Sequence, residues 1–446
     1  MKITADFKSI TGKIKPMHAI GQPPNYGARD NLMHYVGEAG LPYSRLHDAG
    51  GPYGGARYVD IPNVFPDFSA DENNPESYDF VFTDWLITAL MKQGCEPFYR
   101  LGVTIENFYK MKPYRIYPPE DFGKWARICE HIIRHYNEGW ADGFNYNIRY
   151  WEIWNEPEGG SDKKGGAMWL GTAEQYFELY EITARHLKNC FGDSIKVGGY
   201  ASCGFDIPDS DPELTGIPDV VAENWGTHLY QYAHQFFKYI SERNVPIDFF
   251  SWHCYGDPQR VLSRADSTRR VMEKYGFGDV EDICNEWNPT PDPVRRSTAA
   301  AAAKVSAVML GMQKKKTWML NFYDARIGSS QYGGIFDPNT WYPYKSYYTL
   351  MSFNRAYRLG NEVFTESDDA NLYVCGAVSD DGGKAVLLVT NTGSSAAQVE
   401  FDLSGVDISD AEILFIDDCY TYTPTGKRIV DGKLTLSPNC CAEIRF

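Results

Sequence analysis

The chain contains no long apolar run. No stretch of its 446 residues approaches the roughly 20 consecutive apolar residues that a bilayer span requires. The start, Met1-Lys2-Ile3-Thr4-Ala5-Asp6, has no apolar core of the kind a secretory leader carries. Basic residues are in deficit: 43 Lys and Arg stand against 59 Asp and Glu, a net charge of −16. No basic run with interleaved aromatics offsets that deficit. The balance argues against nucleic acid and anionic membranes as partners, because both reward clustered cations. It also makes a strongly anionic polysaccharide a poor substrate. The ten cysteines include no CxxC pair and no zinc-site spacing. Several sit in apolar strand-like runs, where a thiol acts as a small hydrophobe. We therefore expect a reducing, cytoplasmic setting, no metal centre and no organic cofactor. Aromatics, by contrast, are abundant, at 15% with 11 Trp and 31 Tyr. A surplus on loops suits carbohydrate, whose C–H faces stack on rings as other apolar faces do.

From about residue 16 to 358, strand-like and helix-like segments alternate, the pattern of a parallel sheet with crossover helices. Eight strand candidates are legible. They begin at His18-Ala19-Ile20-Gly21, Tyr43-Ser44-Arg45-Leu46-His47 and Pro97-Phe98-Tyr99-Arg100-Leu101. The fourth runs from Tyr150 to Glu156, and the others cover Ile195 to Gly199, Phe249 to His253, Ile283 to Glu286 and Thr317 to Phe322. Eight strands predict a (β/α)8 TIM barrel over 16–358. Between them, Thr172-Ala173-Glu174-Gln175 reads as a capping box, and the alanine-rich Ser297 to Met312 as a helix. After residue 359 short strands are punctuated by turns such as Asp380-Asp381-Gly382-Gly383. This predicts a C-terminal β-sandwich domain over 359–446, to which residues 1–15 can add a strand that completes it. The stretches Trp140 to Asn147 and Glu158 to Trp169 read as loops walling a pocket.

Two carboxylates stand out. Tyr150-Trp151-Glu152-Ile153-Trp154-Asn155-Glu156-Pro157 is an aromatic, β-branched run stopped by a proline. It presents Glu156 at the carboxyl end of a strand, where barrels place catalytic groups. Asp282-Ile283-Cys284-Asn285-Glu286-Trp287-Asn288 presents Glu286 in the same manner. Two carboxylates on separate strand ends are the minimum equipment for cleaving a glycosidic bond. Glu156 is assigned as general acid/base, which needs an apolar setting to keep its proton near neutrality; Trp151 and Trp154 are candidates to supply it. Glu286 is assigned as nucleophile and must be ionised, with Arg45 as the cation that holds it so. Glu152 reads as buried and paired to an interior Arg or Tyr, and Glu158 as a loop residue that is solvated or touches a leaving group.

Trp154-Asn155-Glu156-Pro157 resembles the acid/base motif of the clan A retaining glycosidases, which are built on (β/α)8 barrels. Within that clan the chain is most similar to glycoside hydrolase family 39, the family of β-xylosidases and α-L-iduronidases. Arg45-Leu46-His47 resembles its Arg-x-His, His253-Cys254-Tyr255 its His-x-Tyr, and Asn285-Glu286-Trp287-Asn288 the segment around its nucleophile. The resemblance spans nearly the whole chain. It implies that Asn155 binds the sugar 2-hydroxyl, that His253 and Tyr255 orient the carboxylates, and that His47 contacts distal hydroxyls. Trp287 and Tyr323 are further expected substrate contacts. The family pattern is broken after the eighth strand, where a Trp near an acid gives way to Tyr323-Asp324-Ala325-Arg326. Asp324 and Arg326 are expected to alter hydroxyl recognition there. The activity so implied is retaining hydrolysis of neutral, pentose-containing oligosaccharides, xylosides first. An arabinofuranosidase or galactosidase specificity, and a non-catalytic carbohydrate-binding barrel, are the alternatives.

Overall fold

Apolar strands that alternate at period two must bury one face on a core and the other on neighbouring elements. In a computed structural model of this chain they do so as a closed barrel and a separate nine-stranded sheet. The structure describes residues 1–24, 32–49, 58–104, 116–159, 168–209, 211, 213, 225–327, 332 and 334–446. Strand β1 (Lys2–Lys13) belongs to the sheet. The barrel follows as β2 (Ala19–Gly21), β3 (Tyr43–Leu46), β4 (Glu96–Leu101), β5 (Tyr150–Ile153), β6 (Lys196–Ser202), β7 (Phe249–Tyr255), β8 (Glu281–Asn288) and β9 (Met319–Tyr323). All eight pair in parallel and in chain order, with β9 closing on β2.

The barrel interior is layered, as the strand period requires. Tyr43, Phe98, Tyr150, Phe249, Ile283 and Met319 form a dry floor near the amino ends of the strands. Two residues further along each strand come Arg45, Arg100, Glu152, Ser251, Asn285 and Asn321, all buried and polar. The active-site layer therefore stands on a polar tier that itself rests on an apolar one.

Helices α1 (His34–Ala39), α2 (Ile61–Val64), α3 (Val81–Lys92), α4 (Phe122–Glu138), α5 (Ala173–Phe191), α6 (Trp225–Arg243), α7 (Pro258–Lys274), α8 (Ala299–Gln313) and α9 (Lys345–Leu359) lie outside the strands. α4 turns Trp125, Ile128, Ile132 and Ile133 inward. Its Asp121 caps the Lys124 amide, and Gly139 ends it in the left-handed conformation that glycine adopts without strain. α5 opens with the capping box, Thr172 and Gln175 each accepting the other's backbone N–H. Such a box is worth about 1 kcal/mol. The segment Trp140 to Asn147 joins α4 to β5, so it lies at the amino ends of the strands. It does not wall the carboxylate pocket, because helix-to-strand connections in a barrel run at the opposite face.

The sheet runs β15 (Thr421–Pro424), β14 (Glu412–Ile416), β17 (Cys440–Arg445), β12 (Ala385–Asn391), β11 (Leu372–Val378), β10 (Asn361–Ser367), β1, β13 (Ala397–Ser404) and β16 (Lys433–Leu436). β1 sits inside it, antiparallel to β10 and parallel to β13. Ile3, Phe7, Val363, Val399, Phe415 and Ile444 share its core. α8 is buried nearly all round, which its alanines permit. Ala302 and Ala303 meet Ile416 and Cys441, and the Ser306 and Thr390 hydroxyls bond at 2.6 Å. Sheet and barrel are thus held by close small-residue packing with satisfied polar contacts.

Candidate active site

β5 ends at Ile153, three residues short of the expected boundary. Trp154 and Glu156 take left-handed φ values of 74° and 47°, and strands cannot continue through that conformation. The turn is pinned from both sides. Trp154 N–H donates to the Leu101 carbonyl at 2.8 Å, and Glu156 N–H reaches the Tyr200 and Ala201 carbonyls at 3.2 and 3.1 Å. The Trp154 indole packs outward on Trp125 and Trp169, and Trp151 stacks on Tyr99. Neither ring lines the pocket, contrary to expectation, because both point to the helical shell. They lock the turn that aims Glu156. Backbone strain held this way is common at functional sites.

Glu286 is aimed by a bulge. Trp252 pairs with Cys284 and His253 with Glu286, so Asn285 is the extra residue on β8. As a result Asn285 and Glu286 both serve the barrel interior. Asn285 donates its side-chain N–H to Glu152, and Glu286 accepts from Arg45 Nη1 at 2.7 Å and from the Tyr255 hydroxyl at 2.6 Å. Trp287 is then turned away. It is fully buried, edge-on to Phe322 in the shell, and does not serve as a substrate contact as the motif led us to expect.

Arg45 organises the centre. Its Nε and Nη2 hold Glu152 at 2.8 and 2.7 Å, Nη1 holds Glu286, and Nη2 also donates to Asn155 Oδ1 at 2.6 Å. Ser251 completes Glu152 at 2.6 Å. Burial works against the guanidinium's charge, but Glu152 and Glu286 outweigh it and hold its pKa above the ordinary range. The planar fork lets one cation fix three side chains, gripping Glu152 through two nitrogens at once.

The two carboxylates converge. Glu156, His253 and Glu286 each place one side-chain atom within 4.8 Å of the others. His253 Nδ1 lies 2.6 Å from Glu156 Oε1 and 3.6 Å from Glu286 Oε2. Burial pushes Glu156 up to about 7, against the thiol of Cys203 and the charge of Arg45. Burial also raises Glu286 above its ordinary value, with His253 and Arg45 opposing. Burial lowers His253 to about 4. Glu156 keeps 22% of its side chain open, against 7% for Glu286. Glu156 is thus the more accessible of the pair.

A second group of side chains faces them from β2, β3 and β9. His47 accepts from Arg100 Nε at 3.2 Å, and its Nε2 lies 3.4 Å from Asp48. Burial, then Arg100 and Arg45, lower its pKa. The Tyr323 hydroxyl donates to Asp48 at 3.1 Å and accepts from Gln22 at 3.3 Å. Arg326 holds Asp324 at 2.7 Å. Asp324 is fully buried while Arg326 keeps 27% of its side chain open, so the arginine is the accessible member. Gln22, Asp60 and Arg100 were not singled out in the sequence as site residues. Arg100 within an apolar strand is the one signal that pointed to this network, and Asp60 holds it at 2.7 Å.

Glu158 also departs from expectation. It is buried, not solvated, and accepts the Cys203 amide at 2.6 Å. Burial and the nearby Glu156 raise it to about 8. The fold therefore favours its neutral form, while the unfolded chain ionises near the ordinary carboxylate value. The stability it lends is full at low pH and is lost as pH climbs to about 8. Glu158→Gln removes that loss. We expect the variant to gain on the order of 3 kcal/mol over wild type at pH 9, and little at pH 4. Melting curves across pH check this, and two parallel pH profiles would refute it. Of the Glu158 to Trp169 loop expected to wall the pocket, residues 160–167 lie outside the described residues.

The sequence brought only His47 and Asp48 together as possible metal ligands. Among the described residues the fold groups two sets, Glu156-His253-Glu286 and Glu130-His186-Cys190. In the first, the Arg45 guanidinium already occupies Glu286 and repels a cation.

A family model described as Glycosyl hydrolases family 39 matches residues 54–313, a span that contains both carboxylates. A β-xylosidase of Geobacillus stearothermophilus is 23% identical over 291 residues, 57% of this chain and 51% of that protein. One from Caldicellulosiruptor saccharolyticus is 25% identical over 326 residues, 66% of this chain and 57% of that one. The chain spans little more than half the length of these curated relatives. Among solved structures, a glucosidase from Croceicoccus marinus superimposes with a TM-score of 0.77 at 20% identity, covering 100% of this chain and 98% of that one. A monomeric β-xylosidase from Caulobacter crescentus gives 0.67 at 16% identity, covering 99% and 98%. These structures share the fold. With its two strand-end glutamates inside the matched span, the chain belongs to glycosyl hydrolase family 39.

Proposed function

We propose that this protein is a retaining O-glycoside hydrolase that releases terminal sugars from neutral oligosaccharides, with β-xylosides as first choice. The observation that carries the reading is the separation of the carboxylates. An oxygen of Glu156 lies within 4.8 Å of one of Glu286. Retaining enzymes hold their carboxyl groups about 5–5.5 Å apart, whereas inverting ones need about 6.5–9.5 Å to admit a water.

A Glu286 oxygen forms a bond to the anomeric carbon as the bond to the leaving oxygen breaks. Glu156 gives that oxygen its proton. Glu156, now a carboxylate, takes a proton from water as the water oxygen attacks the same carbon, and the bond to Glu286 breaks. The anomeric carbon is inverted twice, so its configuration is kept. Asn155, held by Arg45, is the candidate for the sugar 2-hydroxyl beside Glu286. His47, Tyr323 and Arg326 are candidates for the remaining hydroxyls, and Tyr255 positions the nucleophile. The relatives named β-xylosidase support the choice of glycone. The Arg326–Asp324 pair, standing where the family pattern has a Trp near an acid, supports a second reading, an arabinofuranosidase or galactosidase on the same machinery. A cytoplasmic location fits the ten free thiols, and among the described residues no helix is long and apolar enough to cross a membrane.

Proton NMR of the first-formed sugar, with a panel of nitrophenyl glycosides, tests both parts. We expect the anomer of the substrate to appear first and the β-xyloside to be turned over fastest. An inverted first product would overturn the mechanism, and a faster hexoside or arabinofuranoside the specificity. Activity that disappears with chelator and returns with a divalent ion would replace this mechanism with metal-assisted hydrolysis.

A further inference from the structure

The second set of clustered side chains lies in the helical shell. Glu130 is on α4, and His186 and Cys190 stand one turn apart near the end of α5. These are the helices before and after β5. Positions four apart on a helix share a face, so both α5 side chains meet the same carboxylate. His186 Nε2 lies 2.6 Å from Glu130 Oε2 and 3.8 Å from Cys190 Sγ. The three ligand-type atoms all fall within 4.8 Å of one another.

One ring nitrogen cannot serve both neighbours. Nε2 either donates one proton or offers one lone pair. Glu130 takes it, and the Cys190 thiol is left at the edge of hydrogen-bond reach. A cation among them would engage all three. Zinc bonds of about 2.0–2.3 Å to nitrogen, oxygen and sulfur, at tetrahedral angles, set the ligand atoms about 3.3–3.6 Å apart. The Sγ to Nε2 distance is already close to that, and the shorter His186–Glu130 contact must open by under about 1 Å. His186 keeps 30% of its side chain open and Glu130 15%, so an ion can enter from solvent. Arg134 is the competing charge. Its Nε holds Glu130 Oε1 at 2.7 Å, which leaves Oε2 to face His186. Unlike the buried Arg45, it is 31% open and shared with Glu138, so water and a second carboxylate weaken its repulsion. A ligand carboxylate fixed through its other oxygen is the usual outer-shell arrangement. Zinc motifs are read along one segment, and Glu130 is 56 residues from His186, so spacing did not show the set.

We propose that Glu130, His186 and Cys190 bind a borderline-soft divalent cation, zinc first, which clamps α4 to α5 with water as its fourth ligand. The Cys190 S–H gives its proton to solvent as the metal–sulfur bond forms, and neutral His186 offers the Nε2 lone pair. The mixed donor set disfavours magnesium and calcium, which take oxygen ligands. The clamp braces the shell on either side of β5, the strand that leads to Glu156, and takes no part in bond making.

Cobalt(II) reads such a site directly. A thiolate ligand gives it a near-ultraviolet charge-transfer band, and a tetrahedral field gives it strong visible bands. The full chain, stripped with chelator and kept reduced, is titrated with cobalt(II) and then with zinc. We expect the bands to grow to one equivalent and zinc to remove them. Cys190→Ser should lose the charge-transfer band, whereas Cys419→Ser, which removes an exposed thiol elsewhere, should keep it. His186→Gln should bind zinc more than about 100-fold more weakly, since outer-shell partners alone are worth about 10–100-fold. Zinc should raise the melting midpoint of wild type by several degrees and leave those of Cys190→Ser and His186→Gln in place. Both variants should melt within a few degrees of metal-free wild type and keep its kcat, because neither residue belongs to the carboxylate pocket. No band in wild type, a charge-transfer band that survives in Cys190→Ser, or an equal zinc shift in wild type and both variants overturns the site.

Discussion

Glu286→Gly is expected to lower turnover of an activated glycoside by about 10⁴-fold or more, and azide is expected to restore part of it. That loss corresponds to about 5.4 kcal/mol of transition-state stabilisation. Without the carboxylate no glycosyl-enzyme bond can form, so the first displacement has no internal nucleophile. Glycine leaves a space the size of the lost carboxymethyl group, bounded by Arg45 Nη1 and the Tyr255 hydroxyl, the two groups that held Glu286. Azide is an anion that fits such a space. Its nitrogen attacks the anomeric carbon while a dinitrophenolate departs unaided. The product is a glycosyl azide of inverted configuration, with one displacement in place of two. Arg45 keeps Glu152 and Asn155 in the variant, so its charge stays neutralised and the barrel should remain folded. Full activity in this variant, or no glycosyl azide by NMR at molar azide, would falsify the assignment.

Much of this site could be read before any coordinates, and the parts that could not have a common cause. Strand-end position was legible. Prolines and apolar runs punctuate the chain, and the eight segments they bound are the eight that close. Glu156 and Glu286 follow from that, since polar residues at the carboxyl end of a buried strand have no structural reason to be there. Glu152 paired with an arginine was equally legible, because a carboxylate in the middle of an apolar strand must find a cation. What period two could not tell is which side of a strand is inward once a bulge intervenes. One extra residue at Asn285 exchanges the fates of Glu286 and Trp287, and nothing in the local composition marks it. The left-handed turns at Trp154 and Glu156 did the same at the other carboxylate. They sent Trp154 outward and Glu158 inward, where a polar loop residue was expected, while Trp151 faces outward by plain alternation with Glu152. Long-range partners were the second blind spot. The Asp60–Arg100–His47 chain joins three separate segments, and only proximity in space reveals it. The placement of β1 between β10 and β13 is of the same kind, since its alternation says strand without naming neighbours.

Replacing Glu156 should separate the two chemical steps. Glu156→Ala is expected to cost about 10³-fold to 10⁴-fold on a disaccharide, whose leaving oxygen needs a proton. On a dinitrophenyl glycoside the first step needs no acid and should proceed nearly unimpaired. The glycosyl-enzyme then accumulates, because no base remains to activate water. A burst of dinitrophenolate followed by a slow steady state is the expected trace, and azide should speed that second phase. The pH dependence follows from the same group. Glu156 must carry its proton for the first step, and burial holds it to about 7. Disaccharide kcat/KM should therefore fall as pH rises through about 7. It should fall on the acid side as Glu286 is protonated, above the ordinary carboxylate range because burial raises it too. Glu156→Gln cannot titrate, so its residual activity should lack the alkaline limb and keep the acid one. If that limb survives in Glu156→Gln, the titrating acid is another group. Glu158, raised to about 8 beside it, is then the first candidate. The double variant would show whether the limb moves with Glu158 or belongs to neither carboxyl.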